Sequence, residues 1–252
     1  MITASPVAAI RVEQLAKVFG GLRAVDSVSL GVSPGERRML IGPNGAGKTT
    51  LFHCIAGTLQ PTSGQVQLFG EDISRLPENR RTALGMGRTF QISNVCIDLT
   101  VRENLILGML GIDRRKWTMY RSADSLSDLN EKIGTELERV GLVDKVDETV
   151  KYLSYGERRQ LELALSLASQ PKVLLLDEPC AGLSPSERQR FSQLVKDLPH
   201  HITLIMIEHD IDVALALADS VTVLHRGKII FDGTPGDVRS DAQVREVYFG
   251  RV

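Results

Sequence analysis

Cysteine is scarce in this chain: Cys54, Cys96 and Cys180 stand far apart. A set that is odd in number and widely spaced argues against a disulfide framework or a zinc site and suits a reducing cytoplasm. Aromatic residues are also sparse, at 5% with one tryptophan. Charge of one sign is missing too, since 30 Lys and Arg face 31 Asp and Glu for a net charge of −1. That balance disfavours nucleic acid as a partner. No apolar run approaches the roughly 20 residues that span a bilayer; stretches such as 202–207 are only strand-sized. Residues 1–13 lack the cationic segment and long apolar core of a secretory signal. What is present is 252 residues, 42% hydrophobic and 24% charged, an ordinary soluble composition long enough to bury a substantial core.

Short β-patterned runs at 9–13, 27–32, 38–41 and 65–69 are bounded by Gly, Pro or charged residues, so the chain opens on strands. Between residues 99 and 167 the period changes. There Leu126, Leu129, Ile133, Leu137 and Val140 recur every three or four residues and predict an amphipathic helix in an inserted helical lobe. Beyond Pro171 strand patterns return at 173–176, 202–207, 221–224 and 229–231, separated by helical spans near 186–198 and 210–218. Strands alternating with helices of this length predict right-handed crossovers and a parallel sheet. With no internal repeat and no long linker, residues 1–252 read as one domain carrying a helical subdomain at about 92–168.

Ile41 ends an apolar strand and is followed by Gly42-Pro43-Asn44-Gly45-Ala46-Gly47-Lys48-Thr49-Thr50, which matches G-x-x-x-x-G-K-[ST] at every fixed position. Glycines let backbone N–H groups turn inward around an anionic phosphate, and the following helix adds its positive N-terminal end. In this pattern Lys48 reaches the β- and γ-phosphates of a nucleotide and Thr49 offers its hydroxyl to Mg²⁺. A second run, Val173-Leu174-Leu175-Leu176-Asp177-Glu178, ends a buried strand in two carboxylates. They fall at the carboxyl end of the sheet, where open α/β folds bind ligands. Asp177 is suited to hold Mg²⁺, and Glu178 to polarise an attacking water. Alone, such a strand is a common terminus; beside the phosphate loop it completes a nucleotide and metal site.

Leu153-Ser154-Tyr155-Gly156-Glu157-Arg158-Arg159-Gln160 stands about twenty residues before that strand. It resembles the L-S-G-G-Q signature of ATP-binding cassette (ABC) ATPases. The resemblance covers residues 9–250 and implies an α/β fold: a P-loop NTPase with a RecA-like parallel-sheet core, an antiparallel β subdomain and an inserted α-helical subdomain. It also implies ATP with Mg²⁺, held between the phosphate loop of one subunit and Ser154, Tyr155, Gly156 and Glu157 of a second ATPase subunit. By the same resemblance Gln91, in Arg88-Thr89-Phe90-Gln91, senses Mg²⁺ and the attacking water; His209, just past a buried strand, contacts the γ-phosphate; and Phe19 stacks on adenine.

Three positions depart from the family pattern. Tyr155 replaces the first signature glycine, Glu157 stands where Gln is usual, and Ser184 stands where Asp is frequent. Within the family, Gly87 to Gln91, Leu99 to Leu105, the Tyr-Gly signature and the ending from Gly233 to Gly250 look like the ATPase of branched-chain amino acid, urea or amide uptake. That subgroup implies two transmembrane permeases, a periplasmic solute-binding protein and a peripheral position on the cytoplasmic face of the inner membrane. The stretch 108–130 resembles a longer loop of one ATPase type in these systems. Its Arg114-Arg115-Lys116-Trp117 and Tyr120-Arg121 suit either lipid headgroups or a permease, or equally a solvated loop. Lipopolysaccharide export has a similar tail but fits Arg88 to Gln91 less well. A non-transport cassette of DNA repair or translation would show tandem cassettes, long heptads or a basic surface.

Overall fold

The computed structural model describes residues 7–89, 95–112 and 123–249; Gln91 and the stretch from Arg114 to Arg121 lie outside them. In chain order the elements are β1 (Ile10–Phe19), β2 (Leu22–Val32), β3 (Arg37–Ile41), α1 (Lys48–Ala56), β4 (Ser63–Leu68), β5 (Glu71–Asp72), α2 (Glu78–Ala83), β6 (Met86–Arg88), α3 (Val101–Ile112), α4 (Ala123–Val140), α5 (Tyr155–Leu167), β7 (Val173–Asp177), α6 (Pro185–Lys196), β8 (Thr203–Ile207), α7 (Ile211–Leu217), β9 (Ser220–His225), β10 (Lys228–Gly233), α8 (Pro235–Val238) and α9 (Ala242–Phe249). They fall into two units. One holds residues up to Met86, Lys172–Glu178 and everything from Leu198 on; the other holds Gly87–Pro171 and Pro179–Asp197.

The first unit carries five sheet strands in the order β10-β9-β3-β8-β7. Its strands β9, β3, β8 and β7 are mutually parallel. The sequences of β7 and β8 are nearly unbroken apolar runs, buried from end to end, as parallel strands covered on both faces must be. Strand β3 is equally buried although it starts on two arginines. Arg38 is tolerated there because Glu36, Thr222, Asp232 and the Gly31 carbonyl accept its N–H groups. Leu40 and Asp177 both pair with Ile207, so β3, β8 and β7 end level with one another. The loops that follow them share one edge of the sheet, the position where such folds hold ligands.

A second, antiparallel sheet in the order β2-β1-β4-β5 belongs to the same unit. Helix α1 contributes Leu51, Phe52, Cys54 and Ile55 to a core shared with Ile10, Leu15 and Val66 of that sheet and with Leu40, Leu175 and Ile205 of the first. Behind α1 lies Arg81, 1% exposed. Its guanidinium donates to the carbonyls of Cys54, Ile55, Leu76 and Ser74 at 2.8, 2.5, 2.9 and 3.2 Å. A cation on the last carbonyls of a helix satisfies groups that the helix itself leaves open and complements its dipole.

In the second unit α4 and α5 pack together with α3. Ile133, Leu137 and Val140 of α4 are buried, as the helical period requires, with Val101, Leu105, Leu161 and Ala164. Leu129 is half-buried, and the side chain of Leu126 lies outside the described residues. Gln160 of α5 donates to the Val140 carbonyl at 3.0 Å, closing the end of α4. Among the described residues no helix is long and apolar enough to cross a membrane. Cys54 and Cys180 are buried and Cys96 is exposed, and none of the three forms a disulfide.

Candidate active site

The loop between β3 and α1 makes a cradle because its backbone takes conformations that glycine alone adopts easily. Gly47 has φ of 101°, and a Cβ there would stand 2.3 Å from the Ala24 carbonyl oxygen. Glycine at this N-cap places no side chain across the start of α1, so the first-turn amides keep their capacity for a ligand. The loop is braced from outside, where the Gly227 N–H donates to Ala46 O at 2.9 Å. Lys48 is 4% exposed, and its ammonium donates to the Gly42 and Pro43 carbonyls at 2.7 and 3.1 Å. Burial pulls its pKa below the usual lysine value, while the carboxylates of Glu178 and Asp177 oppose that shift.

Directly beyond β7, Glu178 has φ of 49°. This left-handed conformation costs a residue with a side chain about 1–3 kcal/mol, and such strain gathers at functional positions. Its N–H is fixed to Ile207 O at 3.0 Å. Its Oε1 lies 2.7 Å from Nε2 of His209, which follows β8; a carboxylate oxygen can only accept, so the imidazole donates. Asp177 is buried beside it, with His53 Nε2 of α1 3.7 Å from Oδ2.

Phe19, Asn44 to Thr50, Glu178 and His209 line one cavity of about 650 Å³, a volume suited to a small-molecule ligand. Phe19 stands at its rim, 46% exposed, with the Lys17 ammonium 5.1 Å from the ring centre. The cavity also takes Leu22, Arg23 and Ala24 from β2 and Arg226-Gly227 from the β9–β10 turn. No local motif marks those residues, because two hairpins, β1–β2 and β9–β10, bring them in. An anionic ligand with an aromatic end and a hard cation fits this lining. The glycine cradle and Lys48 suit phosphates, and the oxygen donors Thr49 and Asp177 suit Mg²⁺.

Ser154, Tyr155, Gly156 and Glu157 belong to the second unit, at the start of α5. Ser154 caps the helix: its hydroxyl accepts from the Glu157 N–H at 3.2 Å, and the Glu157 carboxylate accepts from the Ser154 N–H at 2.7 Å. Glu157 therefore closes a capping box. The Tyr155 hydroxyl donates to Ala181 O at 3.2 Å and accepts from Arg159 at 2.9 Å. Ser184 forms a second capping box at the start of α6, with Glu187. The three unusual letters of the signature and the loop after β7 thus have local structural work. The Ser184-Pro185-Ser186-Glu187 spacing announces that helix start, but nothing local announces that Glu187 also reaches Gly156.

The ABC transporter family profile matches residues 25–181, and the fold and cavity agree with it: the chain belongs to that family, as one of its ATP-hydrolysing cassettes. A further profile, described as branched-chain amino acid ATP-binding cassette transporter, matches the tail at residues 228–252. The high-affinity branched-chain amino acid transport ATP-binding protein LivG of Escherichia coli K12 is 36% identical over 241 residues, 92% of this chain and 94% of its own length. BraF of Pseudomonas aeruginosa, which carries the same description, is 35% identical over 96% of this chain and 97% of its own. A weaker match is the lipopolysaccharide export system ATP-binding protein LptB of Haemophilus influenzae, 36% identical over 94% of this chain and 95% of its own. Among solved structures, the ADP conformation of MJ1267, an ATP-binding cassette of an ABC transporter, superposes with a TM-score of 0.85 at 31% identity, covering 97% of this chain and 99% of that one.

Proposed function

We propose that this chain is the ATP-hydrolysing subunit of an importer for branched-chain amino acids or related small polar solutes. The whole of 1–252 acts as one cassette, with a helical subdomain at about 92–168. ATP binds with its adenine on Phe19 and its phosphates in the loop from Gly42 to Thr50. A second ATPase subunit, another copy or a sister chain, covers it with the equivalents of Ser154, Tyr155, Gly156 and Glu157. The Glu178–His209 contact of 2.7 Å, in one cavity with the phosphate loop, is the observation that carries the hydrolytic reading. Glu178 orients the attacking water and takes its proton as the bond to the γ-phosphorus forms and the bridging bond to ADP breaks. His209 holds that carboxylate and reaches the γ-phosphate, and Gln91 sets the water's position. Lys48 stabilises charge that develops on the phosphoryl oxygens. Thr49, Asp177 and Gln91 would hold Mg²⁺, which neutralises phosphate charge when bound.

From a peripheral position on the cytoplasmic face of the inner membrane, closure of the sandwich drives two transmembrane permeases, and a periplasmic solute-binding protein supplies the solute. The tail profile and the similarity to LivG and BraF support import over lipopolysaccharide export. Glu178→Gln is expected to lower steady-state ATP hydrolysis about 10²–10³-fold and to trap an ATP-bound dimer on size exclusion. Normal turnover in that variant sinks the catalytic assignment. Co-purification with two permeases, and ATPase activity stimulated by an amino-acid-loaded binding protein, tests the importer.

A further inference from the structure

Helices α5 and α6 begin with the same device, a serine N-cap answered by a glutamate three residues on. The two boxes nevertheless differ. In the first, the Glu157 carboxylate turns back to the Ser154 N–H. In the second, Oε2 of Glu187 serves the whole cap, accepting from the Ser184 N–H at 2.9 Å and from its hydroxyl at 2.6 Å. That leaves Oε1, which crosses to the start of α5 and accepts the Gly156 N–H at 3.2 Å. One carboxylate therefore spans two helix N-termini.

The contact is close enough to dictate the residue opposite. A Cβ at position 156 would stand 2.6 Å from Glu187 Oε1 and 2.9 Å from its Cδ, so a glycine is required for this glutamate to lie where it does. Tyr155 adds a second tie between the same segments: its hydroxyl reaches Ala181 O, and its ring edge would meet a Cβ on Gly182 at 3.2 Å. The Ser184 hydroxyl and amide, helped by the Gly156 amide, hold the Glu187 carboxyl below the usual carboxylate range. It is an anion at neutral pH. First-turn amides and the positive end of a helix attract anions, and at α5 the anion present belongs to the chain itself.

We propose that Glu187 is a positioning residue of the phosphate-receiving turn: an internal anion that holds the Gly156 amide until a partner subunit's γ-phosphate displaces it, and so sets the ATP concentration at which the sandwich closes. This rests on the reading that Ser154 to Glu157 cover the partner's ATP. A phosphoryl oxygen arriving at this N–H competes with Oε1 for it, and the two like charges repel at that range. Oε1 leaves while Oε2 stays on Ser184, so α6 keeps its cap and the carboxylate swings rather than detaches. Once phosphate departs, Glu187 returns to Gly156 and favours opening.

The test is the ATP concentration giving half-maximal dimer, read by light scattering on full-length protein in the hydrolysis-blocked Glu178→Gln background. Adding Glu187→Gln removes the charge but keeps the shape, and is expected to lower that concentration about 3–10-fold. Glu187→Asp keeps the charge and caps α6 but is too short to reach Gly156, so a smaller shift in the same direction is expected. It carries the test if the glutamine variant loses its fold by circular dichroism. A purely structural role predicts the reverse, a weakened turn that needs more ATP. A folded Glu187→Gln variant with an unchanged or raised ATP requirement overturns the proposal. Failure of Glu178→Gln alone to dimerise at millimolar ATP overturns instead the sandwich reading beneath it, and this inference falls with that reading.

Discussion

Two helix starts in this molecule face the same electrostatic task and meet it in opposite ways. At α1 the N-cap is Gly47, with no side-chain cap, and the glycine-built loop turns its amides to a cavity. Inside the loop the Lys48 ammonium donates to two loop carbonyls. At α5 the cap is Ser154 in a capping box, and the Gly156 amide donates to an internal carboxylate, that of Glu187. On the proposed reading the first site takes phosphate on amides that no carboxylate holds among the described residues, whereas the second exchanges one anion for another. A helix N-terminus is thus not a site by virtue of its dipole alone. What its first-turn amides already hold decides whether it binds directly or only against competition.

The largest effect that would break this contrast is at Lys48. Lys48→Ala is expected to weaken ATP binding by the isolated chain about 100-fold, the equivalent of one strong charge-assisted contact. Titration with a fluorescent nucleotide measures it, and retained affinity would show that the loop is no preformed cradle. Next is the support behind α1. Arg81→Met leaves the carbonyls of Cys54, Ile55, Leu76 and Ser74 without their buried donor, a loss of about 3 kcal/mol or more. For a chain of this size that corresponds to a Tm lower by roughly 6–12 °C. Calorimetry reads it directly, and a change under 2 °C or so would mean that α1 does not depend on this cap.

Much of the core was legible because its strands leave an unmistakable pattern. The runs at 173–176 and 202–207 emerge as Val173–Asp177 and Thr203–Ile207, since burial on both faces demands unbroken apolar sequence. The outer strands were legible only in part. The run at 9–13 continues to Phe19, but Gln14 has φ of 47° and the register slips between Val12 and Leu15, so alternation breaks. Likewise the run at 27–32 starts at Leu22, with Ser27 at φ of 53° hiding the first half. Short α2 and the tail helices α8 and α9 escaped because four to eight residues carry too little period. At the site, the letters from Gly42 to Thr50 and Asp177-Glu178 were readable as local chemistry. Arg226, Leu22 and Glu187 were not, because their parts depend on tertiary approach rather than spacing.

The smallest effect sharpens what the Tyr155 departure does. The hydroxyl links Arg159, itself paired with Glu162 at 2.8 Å, to the Ala181 carbonyl across the turn. Tyr155→Phe keeps the ring against Gly182 and removes only those polar ties. Because the residue is 45% exposed, water replaces much of what is lost, and stability is expected to fall by no more than about 1 kcal/mol. If the tyrosine acts only through its ring against Gly182, the phenylalanine variant will match the parent in every respect. If it ties the start of α5 to the loop before α6, amide hydrogen exchange will quicken at Gly182 and Leu183 while the far side of the second unit, around Ile133, stays protected. Uniform protection across that loop would leave the tie between the two helix starts to the Glu187–Gly156 contact rather than to the Tyr155 hydroxyl.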